Sequence, residues 1–218
     1  MCLLLALSFG YYPTVRMYTL QILVLSFLCL LGSSVTAEKE ASDGYRTPDF
    51  CKGIKCPRYR VVKKYKGFEL RAYEPTNWVT TNIDWSRDDH DIKSGYFRLY
   101  QYINGSNAKG ILVETGQPLM IFVPLKENKR ASMSFFLPPE VNVPEPSENV
   151  FLQTFAEMSL YVRTFTSPAL DIDFKKNGNI LARKLVSQEK TFDDSFIGCV
   201  VYDPETIPHR NEVFFKAQ

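Results

Sequence analysis

Histidine, which catalytic and metal sites use most often, is scarce in this chain. It occurs twice in 218 residues, as His90 and His209, far apart in sequence. A four-ligand zinc site would lack partners, so we expect no bound metal. The chain also has no Gly-x-Ser-x-Gly elbow, no His-Glu-x-x-His and no phosphate-binding glycine-rich loop. These absences argue against the common hydrolase, metalloprotease and nucleotide-hydrolysing classes, and we expect a protein that is not an enzyme.

The chain also has no large excess of positive or negative charge. Without Arg16, the only charged residue in the first 37 positions, 25 basic residues stand against 24 acidic ones, a formal charge of +1. Nucleic-acid binders normally concentrate positive charge, so this balance argues against that class. Seven cations do cluster between Lys52 and Lys66, but aromatic and aliphatic residues interleave with them. This pattern favours the solvated side of a strand over an anion-binding patch.

No apolar run is long enough to span a bilayer. The longest, Leu20–Leu31, has about a dozen residues, the length of a signal-peptide core. Small residues follow at Val35 and Ala37, where a signal peptidase reads the chain, and Met17 could be the true start. We therefore expect residues 1–37 to be a signal peptide and the mature protein to be secreted, with no stable membrane insertion. The alternative is an uncleaved membrane anchor.

Three cysteines follow the predicted cleavage point, and an oxidising compartment favours a disulfide between two of them. Cys51 and Cys56 enclose a short loop that includes Gly53, so we predict that they pair within an irregular arm over residues 38–57. A bond from either one to Cys199 is the alternative. The sequon Asn104-Gly105-Ser106 predicts a glycan on Asn104.

Period-two alternation dominates from Arg58 onward and predicts about nine strands. The predicted strands after the segment at Arg58 include 68–73, 78–85, 119–125, 131–137, 149–155, 158–165, 196–202 and 212–216. The segment 119–125 is continuously apolar, which predicts burial on both faces.

Two amphipathic stretches interrupt the strands. Residues 92–105 carry an apolar stripe at helical spacing, and Gly105 suits the residue just past a helix end. Residues 168–189 form either one helix with a soft point at Asn177-Gly178-Asn179 or two short pieces. The order strands, helix, strands, helix, strands predicts one α+β domain over residues 58–218 with a mainly antiparallel sheet and two similar halves.

Three motifs resemble a known family. They are Phe68-Glu69-Leu70-Arg71-Ala72-Tyr73, the run from Phe97 to Lys109, and Tyr202-Asp203-Pro204 followed by Arg210-Asn211-Glu212-Val213. Together they are similar to the SOUL/heme-binding protein family over roughly residues 57–216. The arm that contains Cys51 and Cys56 is similar to that of secreted members.

This resemblance implies a distorted β-barrel of two similar halves with two flanking helices. It also implies reversible binding of heme or another tetrapyrrole in an apolar groove beside the first helix, in a carrier or scavenger role. Heme binding requires apolar rings beside the macrocycle and cations near its propionates, and the first helix carries both. We predict that the groove residues are Lys93, Tyr96, Phe97, Arg98 and Tyr100.

A residue that could ligate the iron axially is harder to find. Some relatives carry a histidine at the position of Ala72, but alanine cannot ligate iron, so this chain has no axial ligand at that position. His209 lies in a loop that approaches the groove in this family and is the candidate axial ligand. The alternative function is a secreted protein-interaction module that keeps the fold and has lost heme binding. The oligomeric state is open at this point.

Overall fold

The fold is described from a computed structural model. It describes residues 44–85, 89–126, 130–146, 148–167, 169, 171–202 and 209–218. The predicted signal peptide, including Met17, lies outside these residues, as do positions 38–43 of the predicted arm. No helix in the described ranges is long and apolar enough to cross a bilayer.

The described residues form nine strands and two α-helices. In chain order they are β1 (Tyr59–Tyr65), β2 (Phe68–Tyr73), β3 (Thr76–Ile83), α1 (Asp89–Ile103), β4 (Leu119–Pro124), β5 (Ala131–Leu137), β6 (Phe151–Phe155), β7 (Met158–Phe165), α2 (Asp171–Ser187), β8 (Phe196–Tyr202) and β9 (Arg210–Lys216). The predicted α+β class is confirmed. The second amphipathic stretch forms one continuous helix, and Asn177 and Gly178 are buried within it.

The strands form one sheet in the order β1-β2-β7-β9-β8-β4-β5-β3-β6, and every neighbouring pair is antiparallel. The two predicted halves are visible in this order. The unit β3-α1-β4-β5 and the unit β7-α2-β8-β9 have the same chain order and the same spatial arrangement. They meet where β4 pairs with β8.

Two short links show that the sheet must curl. Only residues 74 and 75 join β2 to β3, although six strand spacings separate them in the sheet. Six spacings in a flat sheet would be about 29 Å, whereas the link reaches roughly 10 Å. The link from β6 to β7 is equally short and imposes the same curl. The result is the distorted, partly closed barrel that the family resemblance implied.

The curled sheet has a core on each face. The helices cover the convex face, where the buried residues Val79, Leu99, Leu181 and Val213 belong to one cluster. The concave face encloses a second cluster that includes Trp78, Met120, Phe136, Val200 and Phe214. Apolar residues on both faces explain why several strands are apolar throughout rather than alternating.

The arm before β1 closes one end of the concave chamber. The predicted Cys51–Cys56 disulfide is confirmed, and both cysteines are buried in the concave cluster. The ring of Phe50 stands edge-on to Tyr202, with 4.9 Å between their centroids. The guanidinium of Arg210 lies 3.6 Å from the centroid of Phe50. The disulfide therefore packs as part of the core and does not lie on the surface.

A buried polar network lies beneath this arm. The side chains of Arg71 and Glu212 are each 2% exposed, and Arg71 Nη1 donates to both carboxylate oxygens of Glu212 at 3.1 and 3.0 Å. Arg210 Nη2 and Thr164 Oγ1 donate to the same carboxylate at 2.7 and 3.1 Å.

The charges in this network stabilise one another. Burial lowers the pKa of Arg71, but the charge of Glu212 together with Tyr73 and Tyr59 outweighs this effect, and the net shift is upward. Burial also raises the pKa of Tyr73 and Tyr202, which line the same end of the chamber. Arg71 is therefore charged and the two tyrosines are neutral hydroxyls at neutral pH.

Candidate functional site

Helix α1 rests on the sheet through one narrow face. Gly95, Leu99 and Tyr102 are buried along this face, and a Cβ at Gly95 would overlap the side chain of Ile83. The glycine therefore lets the helix approach β3 closely. Tyr102 is fixed by a hydrogen bond from its hydroxyl to the carbonyl oxygen of Pro144 at 2.6 Å.

Three aromatic residues lie on the side of α1 that turns away from this contact. The exposed fractions are 47% for Tyr96, 58% for Phe97 and 46% for Tyr100. The rings of Tyr96 and Tyr100 are nearly parallel with centroids 6.3 Å apart, and Phe97 lies 6.3 Å from Tyr100. We call these three residues the aromatic ledge. Lys93 is exposed one turn before them on the same side.

Arg98 lies on the opposite flank of the helix. Its Nε donates to Thr81 Oγ1 at 3.0 Å and its Nη2 to the carbonyl oxygen of Asn82 at 2.7 Å. It also lies 3.8 Å from Asp91. Four of the five predicted groove residues thus share one side of α1, while Arg98 attaches the helix to β3.

The two helices pack on different strands of the sheet. Helix α1 packs mainly on β3 and β5, and α2 mainly on β9 and β7. The central strands β4 and β8 therefore have less cover, and their convex-side residues Leu119, Val123 and Val201 are only half-buried. The prediction that residues 119–125 are buried on both faces was wrong in this respect. We call Leu119, Val123 and Val201 the floor of the predicted groove.

One row of paired residues joins the ledge to the start of β9. The ring of Tyr96 stands edge-on to Phe135, with 5.4 Å between centroids. Phe135 pairs with Leu119, Leu119 with Val201, and Val201 with Asn211. Three strand spacings separate Phe135 from Asn211, or roughly 14 Å.

His209 lies two residues before the end of this row and is half-buried. The candidate axial residue therefore lies near the end of this row that is far from the ledge. The other histidine, His90, has a side chain outside the described part of the chain. No cluster of three or more His, Cys, Asp or Glu residues that could hold a metal ion occurs among the residues that the structure describes.

The sequon residue Asn104 is exposed just past the end of α1. Its side-chain amide donates to the carbonyl oxygen of Tyr100 at 2.8 Å. Leu112, which pairs with Asn104 through an isolated backbone bridge, is 77% exposed. The predicted glycan site therefore lies at the carboxyl end of the aromatic ledge.

The sequence of this chain is similar to those of known proteins. A family model described as SOUL heme-binding protein matches residues 54–216. Human heme-binding protein 2 is 28% identical over 191 residues, which cover 84% of this chain and 90% of that protein. Heme-binding protein 1 of Xenopus laevis is 27% identical over 163 residues, with 68% of this chain and 82% of that protein covered.

The similarity to one solved structure concerns the fold and not the function. EcmrR in its cryo-EM complex with DNA superposes with a TM-score of 0.53 at 10% sequence identity, covering 94% of this chain and 67% of that chain. An identity this low supports a shared chain path and no shared activity. The matched family range agrees with the range that the sequence motifs indicated.

Proposed function

Because the chain belongs to the SOUL heme-binding protein family, we propose that it binds heme or a closely related tetrapyrrole reversibly in the groove beside α1. The observation that carries this proposal is the aromatic ledge, in which Tyr96, Phe97 and Tyr100 each leave about half of their surface in water. A contiguous exposed apolar patch usually marks a binding site. Flat rings also suit the faces of a planar macrocycle.

The fit extends to the polar edge of such a ligand. A tetrapyrrole carries carboxylates, and Lys93 offers an exposed ammonium group on the same side of the helix as Tyr96. Charge-assisted bonds of this kind are stronger than neutral ones. Arg98 has a different role in our proposal, because its donors already bind Thr81 and Asn82. It positions the helix and does not contact the ligand.

Axial coordination, where it occurs, is assigned to His209. The row from Phe135 to Asn211 brings the start of β9 to the edge of the groove floor. The floor residues Leu119 and Val201 supply apolar contact between the ledge and that edge. The protein acts on this basis as a carrier or scavenger, with no chemistry performed on the ligand.

The test is a hemin titration followed in the Soret band. We expect saturable one-to-one binding, weakened tenfold or more in Tyr96→Ala/Tyr100→Ala, which corresponds to about 1.4 kcal/mol. Lys93→Ala weakens binding without changing the band, whereas His209→Ala changes the band itself. Phe151→Ala is the matched control, because Phe151 is 39% exposed on β6, away from the ledge. Equal effects of the control and the ledge variants would refute the assignment of the site.

Secretion and glycosylation are part of the same proposal. The buried Cys51–Cys56 disulfide supports an oxidising compartment. Expression of the full chain in cells with a secretory pathway is expected to release protein that begins at Glu38. Treatment with an N-glycosidase is expected to reduce its mass, and Asn104→Gln abolishes that change. Retention of the uncleaved chain in the membrane fraction would support the anchor alternative.

The second candidate is a protein-interaction module on the same fold. The exposed Leu112 and the ledge favour it, because aromatic and aliphatic anchors also dominate protein interfaces. The hemin titration distinguishes heme binding from this second function. A folded protein with no saturable Soret shift, and a partner lost on Tyr96→Ala/Tyr100→Ala, would support this second function.

A further inference from the structure

The cations of this protein fall into two environments. Carboxylates within 4.0 Å pair with Lys55, Arg58, Arg71, Arg98, Lys126, Lys175 and Arg210. By contrast, none of the cations around the β1–β2 turn has such a partner among the described residues. This group, which we call the basic corner, consists of Lys63, Lys66, Arg163, Lys184 and Lys190.

The basic corner is assembled by tertiary structure from three elements. Lys63 Nζ on β1 and Lys190 Nζ just after α2 lie 5.3 and 5.7 Å from the ring centroid of Tyr65. The two ammonium groups therefore share one aromatic ring, which attracts them through its negative face. The sequence alone showed only the cluster between Lys52 and Lys66, whose pattern favoured the solvated side of a strand.

The remaining cations meet at the turn itself. Arg163 Nη1 donates to the carbonyl oxygen of Gly67 at 3.0 Å, and Lys184 Nζ donates to that of Lys66 at 2.8 Å. A Cβ placed on Gly67 would lie 3.3 Å from both of these nitrogens. Two positive charges from β7 and α2 are thus held beside each other by neutral acceptors.

Holding like charges together costs electrostatic energy, which an anion would offset. The exposed acid of this region, Glu189, forms no ion pair with the corner in the described structure. The chain as a whole is nearly neutral, so this is a local concentration of positive charge. Such a patch attracts anionic partners and does so less strongly as salt rises.

We propose that the basic corner is a docking surface for a linear sulfated polysaccharide. Positive charge continues from Lys66 in the turn to Lys63 and Arg60 on β1, an exposed edge strand. The bulge between Val61 and Lys63 brings Arg60 and Lys63 to the same face of the strand, roughly 10 Å apart. A row of this kind matches a polymer whose charges repeat along its length. Single-stranded nucleic acid would use free aromatic faces, but Tyr65 is already occupied by two ammonium groups.

The test uses the full chain and a defined heparin octasaccharide in calorimetry at physiological ionic strength. The triple variant Lys63→Gln/Lys66→Gln/Lys190→Gln is expected to bind tenfold or more weakly and to lose part of the salt dependence. The matched control is Lys52→Gln/Lys109→Gln/Arg130→Gln, which removes the same net charge from exposed cations elsewhere. We expect less than a twofold change in the control.

Three outcomes would overturn the proposal. One is the absence of measurable binding by the unmodified protein. The second is an equal loss in the corner and control variants, which would indicate a general charge effect. The third is corner-dependent binding to phosphatidylserine vesicles or to an oligonucleotide with none to heparin. If the triple variant folds poorly in thermal melts, Lys63→Glu alone is expected to show the same loss, because Lys63 is exposed.

Discussion

Replacing Glu212 by glutamine would test how the concave chamber is stabilised. The substitution preserves the shape of the side chain but removes its charge. Glu212 accepts hydrogen bonds from Arg71, Arg210 and Thr164, and it lies 3.4 Å from the hydroxyl of Tyr202. The guanidinium of Arg71, only 2% exposed, would be left buried beside a neutral amide. Removing one partner of such a buried pair costs about 3–5 kcal/mol.

The matched control acts on the same arginine. Glu69 Oε2 accepts from Arg71 Nε at 2.8 Å, but its side chain is 28% exposed, so water can replace the lost interaction. We expect Glu69→Gln to cost about 1 kcal/mol or less. Both variants are measured by urea unfolding, with tryptophan fluorescence as the signal, and the slope of the transition shows whether two-state behaviour is retained.

A loss below about 1 kcal/mol for Glu212→Gln, or equal losses for both variants, would refute the reasoning. The first result would mean that water reaches Arg71 in spite of its burial. A double variant, Arg71→Met/Glu212→Leu, adds a further check. Because it removes both charges and fills the space with apolar atoms, it is expected to recover most of the lost stability.

Two further predictions follow from packing. Burial raises the pKa of the Cys199 thiol, so the thiolate is absent at pH 8 and we expect no reaction with a disulfide reagent until the protein is unfolded. Rapid labelling of the native protein would contradict this. Gly198→Ala is expected to cost about 1–3 kcal/mol, because its Cβ would overlap the ring of Phe214. Thermal unfolding tests it, and adding Phe214→Leu should restore part of the loss if the overlap is the cause.

Several elements were predictable because their patterns are local. The bounds of β5, β7 and β8 agree with the alternation of apolar and polar residues, and both helices lie where the helical spacing placed them. The Cys51–Cys56 pairing was predictable because a short loop with Gly53 can close easily. The ledge residues were named from the sequence, but the same stripe could equally have packed on the sheet.

Arg98 shows the limit of this reasoning. It lies on the same helix as Tyr96, and the spacing alone made it a candidate for the same groove. Which flank of a helix faces a neighbouring strand depends on close packing, here at Gly95 against Ile83. That contact turns Arg98 toward Thr81 and Asn82 and leaves Tyr96 beside Phe135.

The sequence by itself determined the α+β class, the two similar halves, the family and the arm with its disulfide, because these depend on residue periodicity and short motifs. The tertiary structure alone decided three things. It placed the ring of Tyr96 beside Phe135 on β5, it buried Arg71 against Glu212 across 141 positions of the chain, and it gathered the basic corner from β1, β7 and α2. Each depends on contacts between residues distant in sequence, and local spacing carries no information about which distant segments the curled sheet brings together.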